Sequence, residues 1–428
     1  MHNFRGFSDT LIPLSQTSFL VGENSTGKSS FLKLLYLLFR PNFWVLPDFR
    51  PPEDPNLFGG FHDIVSAWSG DKTYFQVGVL RTHDNQKNGL DFDFVAYTFI
   101  EKDGTPVLSR YLQFTPKKMT TVILAEREPR YKNVEVQHSF SSEMEVIDYF
   151  RNMVTSDRED TSGLNQFPEG MPPGLPLPMA VAMLRNIEKG NEILQNEYRF
   201  EFPYMGTLTL TLIEPIRTKP SRFYEALPRS FSPEGDHTPF VLRHLLDTHT
   251  RSSQFVKKLT AFGLASGLFE AVVTHSFGGP QAPFELLIKL AGAELNINNA
   301  GYGVSQVLPL IVEFLSEEKN KVFAVQEPEI HLHPRAQAAL GGLIYELTKE
   351  RGHSFVLETH SDYLIDRFRL AMHEDESPTR AQILFFHRVE DGNHVTIIPI
   401  SPEGRYPQDQ PKAFREFFIK EEIALLEI

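Results

Sequence analysis

Between residues 72 and 126 apolar and polar positions alternate in short runs, "YFQVGVL", "DFDFVAYTFI", "RYLQFT" and "TTVILAE", parted by turn residues such as "EKDG". Period-two alternation predicts an antiparallel sheet region there. The last third of the chain follows a different rule. Helix-spaced apolar positions over 304–317, 334–350 and 361–372 are separated by short apolar runs at 321–326 and 354–358, with strands following at 381–388 and 393–400. Such alternation predicts an α/β core with parallel strands. Near the N-terminus a buried strand, "QTSFLV" (16–21), precedes the apolar helix "FLKLLYLLF" (31–39), and a Pro-rich stretch, 41–55, follows. From 236 the pattern turns helical ("PFVLRHLLDTHTRSSQFVKKLTAFGL"), and "FELLIKLAGAELNI" reads as a strand pair.

Residues 140–200 have another character. Helical patterns near 142–155 and 179–198 flank "SDREDTSGLNQFPEGMPPGLPLP", which is rich in Pro, Gly and acids. A long stretch without pattern in a compact domain is usually functional or disordered, so we read an inserted helical arm with a mobile tip. At 1.5 Å per residue each helix spans at most about 30 Å, and no sustained heptads suggest a long coiled coil. The expected division is an N-lobe at 1–130, the arm at 131–204 and a C-lobe at 205–428.

Composition narrows the class. The 428 residues suffice for two or three subdomains, and 36 phenylalanines point to a well-filled interior. There is no run of eighteen apolar residues, so no membrane span is expected. The start, "MHNFRGFSD", lacks the order of a secretion signal. Zero cysteines exclude disulfides and cysteine-held metals and are compatible with a reducing cytoplasm. A formal charge of −13 opposes nonspecific coating of DNA. The basic stretches "TKPSR" (218–222) and "RSSQFVKK" (251–258) leave only a weak, local route to nucleic acid.

The first chemical motif lies between the strand at 16–21 and the helix after it. "GENSTGKSS" fits G-x-x-x-x-G-K-[ST], with Gly22, Gly27, Lys28 and Ser29 at the fixed positions. Glycines let the backbone wrap phosphates with its N–H groups at a helix N-terminus. Asn24, Ser25, Thr26 and Ser30 complete the expected cradle. Lys28 would reach the terminal phosphates of ATP, and the Ser29 hydroxyl would ligate Mg²⁺.

Such a loop needs an acid-tipped strand, usually far along the chain. "VFAVQEPEIHLHP" (322–334) starts correctly, but Gln326 stands where the magnesium-linked acid is expected. Three readings compete: a Walker B strand with a neutral substitute, a His/Glu metal site, or a plain buried strand and loop. Glu327, at the strand's C-terminal edge, is placed to orient or deprotonate an attacking water. His331 and His333, with Glu329 near, prompt the metal reading, yet Pro334 opens a helix at once and no further ligand set stands out. "SFVLETHSD" (354–362) brings Thr359 and His360 to a second strand end. In "NNAGYGVSQVLPLIVEFL" (298–315), Gly303, Ser305 and Gln306 open a helix whose N-terminus can face an anion.

Together these segments resemble the ABC-type ATPase heads of the overcoming-lysogenization-defect (OLD), RecF and SMC group, over about 1–70 and 205–400. "NFRGFSDTLIPLSQTSFLVGENSTGKSSFLKLL" looks like that group's N-terminal lobe, "GYGVSQ" its signature, "QEPEIHLHP" its Walker B and D-loop, and "ETHSDYLI" its switch histidine. "LIEPIRTKPSRFY" (212–224) resembles a segment of the small OLD-like ATPases, and "FGGFHDIV" (58–65) falls where a Q-loop belongs, with His62 its nearest polar residue. The resemblance implies a P-loop ABC-type head, part antiparallel and part parallel. It also implies ATP and Mg²⁺, with Ser305 acting in trans on ATP held by Lys28 of another copy, so that ATP joins a head-to-tail homodimer. Glu327 and His360 would be catalytic, and Ser29 and Gln326 would face the metal. Because Gln326 is uncharged, turnover is expected to be slow.

No nuclease constellation is found, and "FREFFIKEEIALLEI" is too short for the TOPRIM domain of OLD nucleases. The chain therefore looks similar to ATPase subunits of anti-phage systems such as Septu or PARIS, whose effector is a separate nuclease or toxin. A RecF-like DNA-repair or DNA-tethering ATPase is the alternative, and a non-hydrolysing protein locked by ATP is a third reading.

Overall fold

The computed structural model describes residues 1–417 apart from 52, 53, 55, 84–89, 125–128, 157–162, 169–175, 189–208, 226–229, 249–253, 280, 281, 317, 318 and 377. The expected helix end at 189–198, most of the arm's tip and the start of "RSSQFVKK" lie outside them. The chain divides into two interleaved compact units. Residues 1–11, 33–207 and 389–393 form one, and 12–32, 208–388 and 394–428 the other.

The first unit is built on an eight-stranded sheet in the order Phe7–Asp9, His2–Phe4, Tyr74–His83, Asp91–Lys102, Thr105–Phe114, Lys118–Leu124, Pro129–Glu135 and Asn165–Gln166. Every pairing is antiparallel. Alternation along Asp91–Lys102 sends successive side chains to opposite faces. Phe92, Phe94 and Ala96 meet Phe114 and Phe140, together with Val146, Ile147 and Phe150 of the helix Glu143–Ser156. Tyr97 and Phe99 turn the other way, where Phe99 packs on Phe49 and Phe75, and the Tyr97 hydroxyl donates to the Trp44 carbonyl at 2.8 Å. Both faces are thus covered. The pattern did not disclose strand Pro129–Glu135, because "PRYKNVE" has no buried side to mark it.

The second unit holds a six-stranded sheet ordered Leu210–Ile213, Val322–Gln326, Ser354–Glu358, Thr17–Gly22, Ala381–Val389 and Gly392–Ile400. The first five strands run parallel. Their near-continuous apolar runs follow from burial on both faces, and Phe19, Val21, Phe323, Val325, Phe355 and Leu357 are all inaccessible to solvent. Local signals set the helix ends. Pro334 occupies the first turn of Pro334–Arg351, Gly352 closes it at φ 66°, and the Ser361 hydroxyl caps Asp362–His373 by accepting from the Leu364 N–H. The helical run after 236 resolves into two helices, Thr238–Thr248 and Gln254–Ser266. The strand pair gains a third member, Ala271–Ser276, beside Phe284–Leu290 and Ala293–Asn296. No helix among the described residues is long and apolar enough to cross a membrane.

His353, fully buried at the start of the strand Ser354–Glu358, makes one consequence of this packing testable. Its Nδ1 accepts the Lys321 N–H at 3.2 Å, and burial, helped by the Arg351 charge, lowers its pKa to about 4. The unfolded imidazole titrates near 6.5, so acidification protonates the unfolded chain first and draws the equilibrium toward it. Stability is unaffected by this group well above pH 6.5 and falls as pH drops from about 6.5 to about 4, by roughly 3 kcal/mol at the limit. Urea unfolding at pH 7 and pH 4.5 should show a steeper loss for the wild type than for His353→Phe. Equal pH slopes would reject the assignment.

Candidate functional site

The C-terminal edge of the parallel sheet brings together three strand ends. Gln326 pairs in register with Glu358, Glu358 pairs with Leu20, and Gly22 pairs with Phe386. Ligands of open α/β sheets bind at this edge. Gly22 is required twice over. Its φ is 145°, and a Cβ would lie 2.0 Å from the Phe386 carbonyl oxygen. Ser25 and Gly27 also take positive φ, 62° and 97°, which turns the loop back onto its own helix. The Thr26 hydroxyl donates to the Glu23 carbonyl at 2.7 Å, and Arg388 donates to the Ser25 carbonyl. Asn24 and Ser25 are exposed and Ser30 half-buried.

Lys28 opens the helix Lys28–Leu38, three residues before the sequence pattern suggests, and is only 3% exposed. Its ammonium donates to the carbonyls of Gly22 at 2.8 Å and Glu23 at 2.7 Å. Burial pulls its pKa down, against the charges of Glu358, Glu327 and Glu23. Beside it the Ser29 hydroxyl lies 3.0 and 2.9 Å from the two carboxylate oxygens of Glu358. Glu358 is buried at 5% exposure. Burial raises its pKa, and the Ser29 hydrogen bond and Lys28 oppose that rise.

The loop after Val322–Gln326 is held from several sides. Glu327, half-buried, adopts φ 43°, a conformation that non-glycine residues seldom take outside constrained sites, and its N–H donates to the Glu358 carbonyl at 2.8 Å. Glu329 accepts the His360 N–H at 2.6 Å and the Thr359 hydroxyl at 2.9 Å, tying this loop to the end of the next strand. Burial pushes the Glu329 carboxyl up. The His360 ring is exposed, and its pKa is lowered by partial desolvation and by Lys28. Gln326 is buried, and its main-chain carbonyl accepts from Arg217 at 3.3 Å. Arg217 is itself 3% exposed, and its Nε and Nη1 have no partner. Burial lowers its pKa to about 10, against the nearby Glu329 and Glu327.

The edge therefore collects Gly22, Lys28, Ser29, Gln326, Glu327 and His360. Gly303, Ser305 and Gln306 are placed otherwise. Gly303 packs on the His331 carbonyl, and a Cβ there would lie 2.9 Å from it. The Ser305 hydroxyl donates to the Tyr302 carbonyl at 2.8 Å, and the buried Gln306 Nε2 has no partner. Ser305 lines a small cleft with Lys219, Ser221 and Asp236, and no residue of loop 22–30 borders it. His331 stacks edge-on against Tyr302 at 4.8 Å, and His333 starts a helix. Among the described residues no group of three His, Cys, Asp or Glu could hold a metal. His62 belongs to the first unit, where it faces Glu101 at 3.7 Å.

Two residues of this edge escape sequence reading. Glu358 ends a buried apolar strand, the same signal that singles out Gln326, but Thr359 and His360 next to it draw the attention. Arg217 sits inside "LIEPIRTKPSRFY" with no feature marking it as buried.

Two family models match the chain. Residues 1–162 match the family described as "AAA ATPase domain", and residues 182–366 match "AAA domain, putative AbiEii toxin, Type IV TA system". No curated protein matches. Solved structures similar to the chain include the SMC head bound to the C-terminal winged-helix domain of ScpA, at 13% identity, covering 93% of this chain and 96% of that one with a TM-score of 0.38. The SMC head domain from Thermotoga maritima is 12% identical over 94% and 97% of the two chains, with a TM-score of 0.35. An SMC head with extended coiled coil from Pyrococcus furiosus is 11% identical over 99% and 96%, with a TM-score of 0.33. The two family models thus place AAA ATPase domains on separate parts of the chain, and the fold is mixed α/β, with antiparallel sheets of eight and three strands and a six-stranded sheet whose first five strands are parallel.

Proposed function

We propose that the chain is an ATP-binding, slowly hydrolysing ABC-type ATPase that dimerises or forms a higher oligomer through composite ATP sites and acts as sensor or scaffold for a separate effector in anti-phage defence. One observation carries the ATPase reading. A glycine-turned loop, the buried ammonium of Lys28 and the hydroxyl of Ser29 lie on the same sheet edge as Glu327 and Glu358. The family model over 182–366, described by a type IV toxin–antitoxin toxin, supports the defence setting. The Septu or PARIS likeness rests on the sequence resemblance.

The loop N–H groups and Lys28 would hold the phosphates, replacing the Gly22 and Glu23 carbonyls that the ammonium now contacts. The Ser29 hydroxyl and the Glu358 carboxylate, in contact with each other, and Gln326, paired with Glu358 in the ladder, would offer the oxygen donors that Mg²⁺ takes. A magnesium ion held by these residues would supply positive charge to the phosphate oxygens. Glu327 then orients an attacking water and accepts its proton, and His360, with its lowered pKa, offers a neutral ring beside the phosphates. Slow turnover is proposed because Gln326 is uncharged, so that any carboxylate charge would reach the ion from Glu358 on the neighbouring strand, displaced from the usual position.

Ser305 is assigned to the ATP of a second copy on the sequence resemblance; in its own chain the hydroxyl donates to the Tyr302 carbonyl. Ser305→Ala should keep ATP binding per chain and weaken ATP-dependent dimerisation by roughly 10²–10⁴-fold, the size of one charge-assisted hydrogen bond lost at each of two sites. Light scattering with a non-hydrolysable ATP analogue reads this. A variant that dimerises like the wild type would remove Ser305 from the interface.

A further inference from the structure

We infer that Glu358, one strand away from the position where sequence reasoning seeks it, is the carboxylate that holds the magnesium ion of the ATP site. The inference rests on the ATP-site reading and deepens it. A serine hydroxyl carries one proton and two lone pairs. Donated to a carboxylate, that proton leaves the lone pairs free for a cation. Ser29 meets that condition with Glu358, whose two oxygens lie 3.0 and 2.9 Å from the hydroxyl.

The spacing suits an ion as well as a proton. Neighbouring ligands of an octahedral Mg²⁺, at 2.0–2.1 Å, stand about 2.9 Å apart. Gln326 cannot take this role in full. Its amide oxygen offers a lone pair but no charge, and Mg²⁺ is ordinarily held through one or two carboxylates plus phosphates. Glu358 and Gln326 are direct partners in the parallel ladder, so exchanging an acid between them moves a charge by one strand, about 4.8 Å. Of the other acids, Glu327 has a strained backbone and Glu329 is engaged by Thr359 and the His360 N–H. Burial also gives Glu358 a reason to exist. A carboxylate with 5% exposure is costly unless a cation compensates it, and Lys28, whose charge acts on it, gives its hydrogen bonds to two carbonyls and not to the carboxylate.

The test uses the full chain with ATP and Mn²⁺ as probe, following free Mn²⁺ by electron paramagnetic resonance. ATP affinity in EDTA is measured separately. Glu358→Gln should weaken Mn²⁺ binding to the ATP complex by roughly 10–100-fold, as loss of a partner at a metal site usually does. Its ATP affinity in EDTA should stay within about threefold of wild type. Adding Gln326→Asp to Glu358→Gln should restore most of the metal affinity, which a misfolded variant could not do. Mn²⁺ affinity unchanged in Glu358→Gln would overturn the inference, as would an equal loss of ATP binding in EDTA or failure of the double variant to recover. Failure of the wild type itself to bind ATP would instead bring down the ATP-site reading, and this inference with it.

Discussion

Lys28→Ala is expected to raise the dissociation constant for ATP by roughly 10²–10⁴-fold. The estimate combines two charge-assisted contacts of about 1.5–3 kcal/mol each, at 1.4 kcal/mol per tenfold change. The ammonium is buried and already occupies carbonyls of the phosphate loop at 2.7–2.8 Å. Removing it deletes the phosphate contact and also loosens the loop's closure on Gly22 and Glu23. Titration calorimetry of wild type and variant decides the matter. Indistinguishable affinities would show that ATP, if bound, lies elsewhere.

Glu327→Gln should act on turnover and not on binding. General-base assistance is worth about 10²–10⁴-fold, so hydrolysis should fall by that factor, while ATP and the assembly it supports are retained. The left-handed backbone of Glu327, pinned by its N–H on the Glu358 carbonyl, fixes where the side chain starts. A variant with wild-type turnover would exclude Glu327 as the base. If hydrolysis in the wild type rises on addition of DNA, the repair reading gains. Turnover indifferent to DNA, with a stable assembly, favours the scaffold.

What the sequence discloses follows from what is local in it. The phosphate loop is legible because glycines, lysine and serine act within nine residues. The parallel strands Val322–Gln326 and Ser354–Glu358 are legible because each is an unbroken apolar run between helices. Pro129–Glu135 is hidden, because its partner strand, not its own pattern, makes it a strand. So is Leu210–Ile213, a four-residue element whose parallel partner lies over a hundred residues away. Glu358 is obscured for the same reason. That it faces Ser29 depends on which strands are neighbours, and no residue near 358 states that the strand at 17–22 lies beside it. Arg217 is a charged residue buried by tertiary packing alone.

ATP is proposed to sit on the edge formed by Gly22, Lys28, Ser29 and Glu358. Calorimetric titration of ATP with Mg²⁺ into the purified wild-type chain tests it most directly. Saturable binding of one nucleotide per chain, lost in Lys28→Ala, is the predicted result. A chain that takes up no ATP, or takes it up equally well without the ammonium of Lys28, would show that this edge is not an ATP site.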